Sequence, residues 1–313
     1  MISRRALLAM LASLASGTIP SVGAQPTVVH AKKLPPPSPR LQGRLHGMSV
    51  LVVGDWGTGG SLQRRVARGM AAVAMREGTS AVISTGDNFY PDGVKDVDDV
   101  QWTKKFTEIY ASPALDVPWY PVLGNHDYRL NPGAQVAYSA KNPRWKMPAR
   151  YYRTDLTVSG ETKLAVLALD TQAILQKMDG WREQLSWFDR EMESVKDMRW
   201  KVVVGHHPIR SYGHYGDQPW LLKAVGPTME RYGAHAYLCG HDHDLQLVRN
   251  PADGYLCAIS GNGGGSRTTT WGENTLFAHT GGGFLSLCCS ATAAEIHAFN
   301  AEGIMLFSLP LVS

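Results

Sequence analysis

The sequence predicts an α+β or α/β fold with a mixed sheet in one domain, and three observations carry that expectation. Apolar, β-branched runs alternate with helical stripes from Ser49 to Asp244. Strand-like runs with few helices fill the remainder of the chain. No internal repeat or break in composition separates the two parts.

The elements follow in order. Residues 1–24 have a basic start at Arg4 and Arg5, an apolar stretch from Ala6 to about Ile19, and small residues at Val22, Gly23 and Ala24. This pattern suits an export signal cleaved before Gln25, with a periplasmic or secreted product. The stretch is too short, and too diluted by Ser, Gly and Thr, for a membrane anchor. Ser3-Arg4-Arg5-Ala6-Leu7-Leu8 also resembles a twin-arginine signal, although paired arginines occur in ordinary signals too. Residues 25–45, with LPPPSPR, read as a linker, and 46–313 as a single folded domain.

Within that domain, SVLVVGD (49–55) reads as a buried strand, and Leu62, Val66, Met70, Val73 and Ala74 place a helical stripe within 62–78. AVISTGD (81–87) is a second strand, 100–110 a helix, and WYPVLGNHD (119–127) a strand running into a loop. Strands over 163–170, 200–208 and 235–244 alternate with helices over 180–197 and 219–233. LQLVRN, GYLCAIS, GGFLSLCCS, AEIHAF and IMLFSLP then read as consecutive strands.

Composition narrows the classes. The chain is 44% hydrophobic and 19% charged, enough for a sizeable core. Its formal charge of +4 falls to +2 once Arg4 and Arg5 are set aside, too small an imbalance to suggest nucleic acid as a partner. Cys239, Cys257, Cys288 and Cys289 permit disulfides in an exported protein. All four lie in strand-like runs, and neighbours on a strand face opposite ways, so buried free thiols are the preferred reading.

Five apolar runs end in one manner, with glycine followed by polar residues able to bind metal: GDWG (54–57), GDNFY (86–90), GNHD (124–127), GHHP (205–208) and GHDHD (240–244). Groups beyond the carboxyl ends of strands converge in one crevice, and glycine lets the backbone turn sharply there. Singly, each aspartate is better read as a cap or turn residue, and His206 alone is as readily a satisfied core histidine as a ligand. Together they point to a polynuclear metal site. Asp55, Asp87, Tyr90, Asn125, His206, His241 and His243 offer only oxygen and nitrogen donors, which excludes soft-metal and iron–sulfur centres. They are too many for one ion and fit two with a bridging carboxylate, the arrangement used for in-line displacement at phosphorus. With Asp55, Asp87 and Tyr90 ionised, a trivalent–divalent pair keeps net positive charge and attracts a phosphate dianion.

The ordered set G-D-x-G, G-D-x-x-Y, G-N-H-D, V-x-x-H and G-H-x-H resembles the purple acid phosphatases, most closely their small, tartrate-resistant type. RWKMPARYYR (144–153), LDTQAIL (169–175), REQLSWFDREM (182–192) and AYLCGHDHDLQLV (236–248) extend the likeness from about Val50 to Pro310. The resemblance implies a calcineurin-like metallophosphoesterase fold, a four-layer α/β/β/α sandwich of two mixed sheets. It implies Fe(III) on Asp55, Tyr90 and His243, and a divalent ion (Fe, Zn or Mn) on Asn125, His206 and His241, with Asp87 bridging. Val203 and His206 match V-x-x-H, which leaves His207 a neighbour without an assigned role. Residues 171–182 are too few for the protease-sensitive repression loop of the mammalian enzymes. His214 matches a substrate-pocket histidine with its spacing off by one.

The function this implies is acid hydrolysis of phosphate monoesters by a metal-held hydroxide. His126 and His214 are then expected to contact the phosphate or protonate the leaving group. Asp127 either orients the His126 ring or stabilises the turn. Trp56, Tyr212, Tyr215, Trp271 and His279 are candidates to line an open mouth, with packing as the competing reading. The chief rival is a divalent-metal phosphodiesterase or protein phosphatase of the same superfamily. Those enzymes place Asp-x-His at the first motif and lack the tyrosine, whereas here Gly57 stands in place of that histidine and Tyr90 is present. A non-catalytic phosphate- or metal-binding envelope protein is the rival from another class.

Overall fold

The computed structural model describes residues 47–311. The expected signal segment, 1–24, and the expected linker, 25–45, lie outside them. Apolar strand sequences build two sheets. The first has six strands, in the order β13-β12-β11-β1-β2-β3. Its strands are β1 (Met48–Val53), β2 (Thr79–Ser84), β3 (Trp119–Pro121), β11 (Gly283–Cys289), β12 (Ala294–Asn300) and β13 (Met305–Pro310). β1, β2 and β3 run parallel, while β11, β12 and β13 add antiparallel pairs on the other side of β1.

The second sheet has seven strands, in the order β10-β8-β9-β7-β6-β5-β4. They are β4 (Tyr152–Ser159), β5 (Thr162–Ala168), β6 (Trp200–Val204), β7 (Ala236–Cys239), β8 (Leu245–Val248), β9 (Leu256–Ser260) and β10 (Thr275–His279). β5, β6, β7 and β9 are parallel, and β4, β8 and β10 pair antiparallel at the margins. Mixed sheets and α+β character are as the sequence predicts.

Alternation along the strands explains the layering. Leu164, Val166 and Ala168 join Val50, Val52, Leu285 and Ile296 in the larger core. Ala165, Leu167 and Val203 face the other way, into a second core. There they meet Phe188 and Met192 of α4 (Trp181–Ser194), and Leu221, Val225 and Met229 of α5 (Pro219–Arg231). The stripe on α1 (Ser61–Glu77) buries Val66, Met70 and Val73 against the first sheet. The shorter helices are α2 (Pro132–Tyr138) and α3 (Thr171–Gln176). The helix expected over 100–110 is a π-helical turn, Trp102–Thr107, anchored by buried Trp102 and Phe106. All four cysteines are free thiols.

The parallel strands put their carboxyl ends on one side, which is where a crevice forms in such sheets. β1, β2 and β3 lead to residues 55, 87 and 125, while β6 and β7 lead to 206 and 241.

Candidate metal centre

The loops after these strands are tied to one another before any side chain is considered. Asp55 N–H donates to Gly86 O at 2.9 Å, Gly240 N–H to His206 O at 2.9 Å, and Gly263 N–H to Gly54 O at 3.0 Å. Glycine is required at Gly86, where φ is +93° and a Cβ would lie 2.8 Å from His206 Nδ1. At Gly240 a Cβ would lie 2.3 Å from Asp55 Oδ2. The residues after three of these glycines take the left-handed conformation without being glycine: Asp55 (φ 55°), Asp87 (φ 48°) and His241 (φ 68°). Non-glycine residues there cost energy and collect at functional sites.

Seven side chains converge from this arrangement. Tyr90 Oη lies 2.9 Å from Asp55 Oδ1, 2.8 Å from Asp87 Oδ2 and 3.1 Å from His243 Nε2. His206 Nε2 lies 3.1 Å from Asn125 Oδ1, 3.1 Å from His241 Nδ1 and 3.6 Å from Asp87 Oδ2. Asp87 Oδ2 is common to both groups. The second oxygen of each aspartate accepts a backbone N–H from another ligand loop: Asp55 Oδ2 from His241 at 2.9 Å, and Asp87 Oδ1 from His126 at 2.8 Å. One oxygen of each carboxylate thus locks the loops together, and the other faces the cluster.

The cluster fits cations. Tyr90 has one proton and faces two carboxylate oxygens, Asp55 Oδ1 and Asp87 Oδ2, so with both carboxylates ionised one of them is left against the phenol's lone pairs. On the His206 side, Nδ1 is 2.9 Å from Thr85 O, which leaves Nε2 directed at Asn125 Oδ1 and His241 Nδ1. Spacings of 2.8–3.6 Å suit donors sharing an ion at bond lengths of about 2.0–2.2 Å. The electrostatics agree. Burial opposes charge on His206, yet Asp87 and then Asp55 raise its pKa. Burial, then Asp55 and Asp87, push the Tyr90 phenol well above its ordinary range. Burial also raises Asp55, against the pull of His206 and His243. Without a cation the site holds protons that a metal would displace.

Around this core the expected residues fall in different places. His126 puts Nδ1 2.5 Å from Pro91 O, and its ring centroid is 4.4 Å from that of Tyr90. Its Nε2 lies 4.0 Å from Asp87 Oδ2 and 3.3 Å from Arg129 Nη2. Asp127 is fully buried and accepts N–H bonds from Asn88, Phe89, Gly124 and the Gln135 side chain. Of its two readings, the turn-organising one describes these contacts, and Pro91 rather than Asp127 meets the His126 ring. His214 is exposed and packs edge-on against Tyr215 at 4.8 Å. Tyr215 itself stacks on His241 at 4.1 Å. His207 lies with Nδ1 2.9 Å from Thr171 Oγ1 and its ring 4.6 Å from that of His241. Burial, then the charge of His206, hold His207 well below its ordinary pKa.

Trp56 does not line a mouth. It is fully buried among Phe89, Phe106, Tyr110 and Trp119, with Nε1–H donating to Ser84 Oγ at 2.8 Å. A residue that the sequence reading missed is Arg267. Its backbone N–H donates to His243 O at 2.8 Å, its guanidinium lies 5.1 Å from the Tyr215 ring centre, and Nη1 is buried with no hydrogen-bond partner. The signal for it was slight: one arginine after the glycine run GNGGG (261–265).

Comparison with known proteins places this geometry. The profile of calcineurin-like phosphoesterases matches residues 48–245. Tartrate-resistant acid phosphatase type 5 of Rattus norvegicus is 34% identical over 238 residues, covering 69% of this chain and 72% of that protein. Purple acid phosphatase 7 of Arabidopsis thaliana is 33% identical over 283 residues, covering 83% and 84%. Among solved structures, GAP50, the anchor in the inner membrane complex of Plasmodium, aligns with a TM-score of 0.77 at 22% identity, covering 84% of this chain and 88% of that one. Purple acid phosphatase PPD1 from yellow lupin (Lupinus luteus) seeds aligns with a TM-score of 0.66 at 15% identity, covering 84% and 53%. These two structural likenesses speak to the fold.

Proposed function

Because the chain belongs to the calcineurin-like phosphoesterases, among the purple acid phosphatases, we propose that it is an exported acid phosphatase that hydrolyses phosphate monoesters at a dinuclear Fe(III)–M(II) centre. The observation that carries the metal pairing is the placement of Tyr90 Oη, 2.9 Å from Asp55 and 2.8 Å from Asp87, on one side of the shared carboxylate. A phenolate is a hard, anionic donor suited to a trivalent ion. Asp55, Tyr90 and His243 would hold iron, Asn125, His206 and His241 the divalent ion, and Asp87 both. When bound, such a pair supplies an activated water in acid and offsets the charge of the phosphate.

The chain's own groups supply the rest. His126, held by Pro91 O, presents Nε2 beside Asp87 and is positioned to give a proton to the departing alkoxide. Arg267, with an unpartnered Nη1 near the Tyr215–His241 stack, adds a cationic donor for phosphate oxygens. His214, exposed beside Tyr215, is placed to meet the substrate rather than the ions. Among the described residues no helix is long and apolar enough to cross a membrane. Export rests on residues 1–24, and amino-terminal sequencing of the mature protein should read from Gln25.

The deciding experiment is the visible spectrum of the purified enzyme with metal analysis and turnover of p-nitrophenyl phosphate. A broad visible band that disappears in Tyr90→Phe, with iron and a second metal present, is the expected result. A colourless, active enzyme holding two divalent ions would remove Fe(III) from the reading, and phosphate binding without turnover would remove catalysis.

A further inference from the structure

The far end of the first sheet carries a second cluster of donors. Glu77, the last residue of α1, Cys288 of β11 and His297 of β12 bring a carboxylate oxygen, a thiol and a ring nitrogen to within 4.8 Å of one another. Cys288 pairs across the sheet with Ser49, near the start of β1, whereas Asp55 follows the end of that strand. At about 3.3 Å per residue, the cluster stands roughly 20 Å from the phosphatase ligands.

Three features distinguish it from an accidental meeting of polar residues. Cys288 Sγ is 3.8 Å from His297 Nδ1, and the other ring nitrogen, Nε2, is 2.9 Å from Glu295 Oε2. A carboxylate on the far nitrogen is how a metal-binding imidazole is usually oriented, with its second nitrogen turned to the ion. The sulfur is held in place as well, with Ser286 Oγ 3.3 Å and Ser49 Oγ 3.9 Å from Cys288 Sγ. The cluster also ties separate elements together, since its three donors come from α1, β11 and β12.

We propose that Glu77, Cys288 and His297 form a second metal site, independent of the phosphatase centre, that takes zinc or another borderline-soft divalent ion. Thiolate and imidazole together select zinc over magnesium or calcium, and sulfur is the donor that the first centre lacks. Zinc bonds of about 2.0–2.3 Å place tetrahedral sulfur and nitrogen donors about 3.5 Å apart, close to the observed separation. Glu77 closes the site by turning away from Arg76, with which it pairs at 2.8 Å on the surface. The fourth position is left to water. On binding, the thiol and His297 Nδ1 give their protons to solvent.

The test exploits the sulfur. Titrating the purified full-length enzyme with Co(II) should produce a near-ultraviolet thiolate-to-cobalt absorption, because the first centre has only oxygen and nitrogen donors. The band should saturate at about one equivalent, vanish in Cys288→Ser, and be displaced by Zn(II). Glu295→Gln should weaken Zn(II) binding by about tenfold to a hundredfold. Turnover of p-nitrophenyl phosphate should be unchanged in both variants. In the native protein, Zn(II) should also slow reaction of the Cys288 thiol with a disulfide reagent by about tenfold or more, a readout that requires no variant to fold. Absence of the band, its persistence in Cys288→Ser, or an undiminished thiol reaction rate in Zn(II) would overturn the proposal.

Discussion

Replacing Trp56 with phenylalanine is expected to cost about 3 kcal/mol of stability and to leave KM unchanged. The indole is 0% exposed and lies 5.4–6.0 Å, centre to centre, from the rings of Phe89, Phe106, Tyr110 and Trp119. Phenyl lacks three of its ring atoms, and at about 0.8 kcal/mol per buried methylene-sized group this amounts to about 2 kcal/mol. The lost bond from Nε1–H to Ser84 Oγ adds about 1 kcal/mol. Ser84 keeps its bond to Asn88 Oδ1 at 2.5 Å, so the loop that carries Asp87 retains its tether. Urea unfolding followed by circular dichroism reads the first quantity, and steady-state kinetics on p-nitrophenyl phosphate reads the second. The thermal midpoint should fall by roughly 6–10 °C. An unchanged urea midpoint combined with a raised KM would refute the reasoning and return Trp56 to the mouth of the site.

Three further outcomes follow from the same geometry. Gly86→Ala forces a Cβ to within 2.8 Å of His206 Nδ1 at a φ of +93°, and should lower divalent-metal affinity by about tenfold to a hundredfold; metal retained through dialysis measures this. Arg267→Ala should raise KM and the inhibition constant of phosphate by roughly tenfold to a hundredfold with a smaller effect on kcat, since one charge-assisted contact is worth about 1.5–3 kcal/mol. Chelation should destabilise the enzyme more at neutral than at acid pH. Burial raises the Asp55 pKa, so the metal-free fold prefers that carboxyl protonated. Its stability therefore falls as pH rises above the unfolded value near 3.8 toward the raised folded value. Paired urea titrations of loaded and stripped enzyme should converge on acidification, and a gap independent of pH would contradict the assignment.

Much of the candidate site was legible because glycine and polar residues end five strands in the sequence itself. Asp55, Asp87, Tyr90, Asn125, His206, His241 and His243 all come together, and their elements begin and end close to the expected places. The misses have physical causes. β4 starts at Tyr152 and alternates irregularly, since it is a sheet edge with exposed residues. β10 is also an edge strand and leaves most of its side chains half-buried. For Trp56 it is the packing reading that holds, since the residue follows the left-handed Asp55 and its indole is fully buried. Asp127 follows His126 directly, yet its carboxylate turns to four other loop and helix residues, a partner set that adjacency cannot reveal. Arg267 depends on a loop more than twenty residues beyond His243, and nothing local marks it.

The left-handed backbone at Asp55, Asp87 and His241 also bears on how this protein would decay. Glycine would sit there more comfortably, by roughly 1 kcal/mol or more at each position. Stability and chemistry therefore pull these positions in opposite directions, and only retention of the ions preserves the side chains. A descendant freed from hydrolysing phosphate esters would gain stability by drifting to glycine there while its two sheets stayed intact. Residues 55, 87 and 241 are thus where a lapsed phosphatase of this lineage would first betray itself.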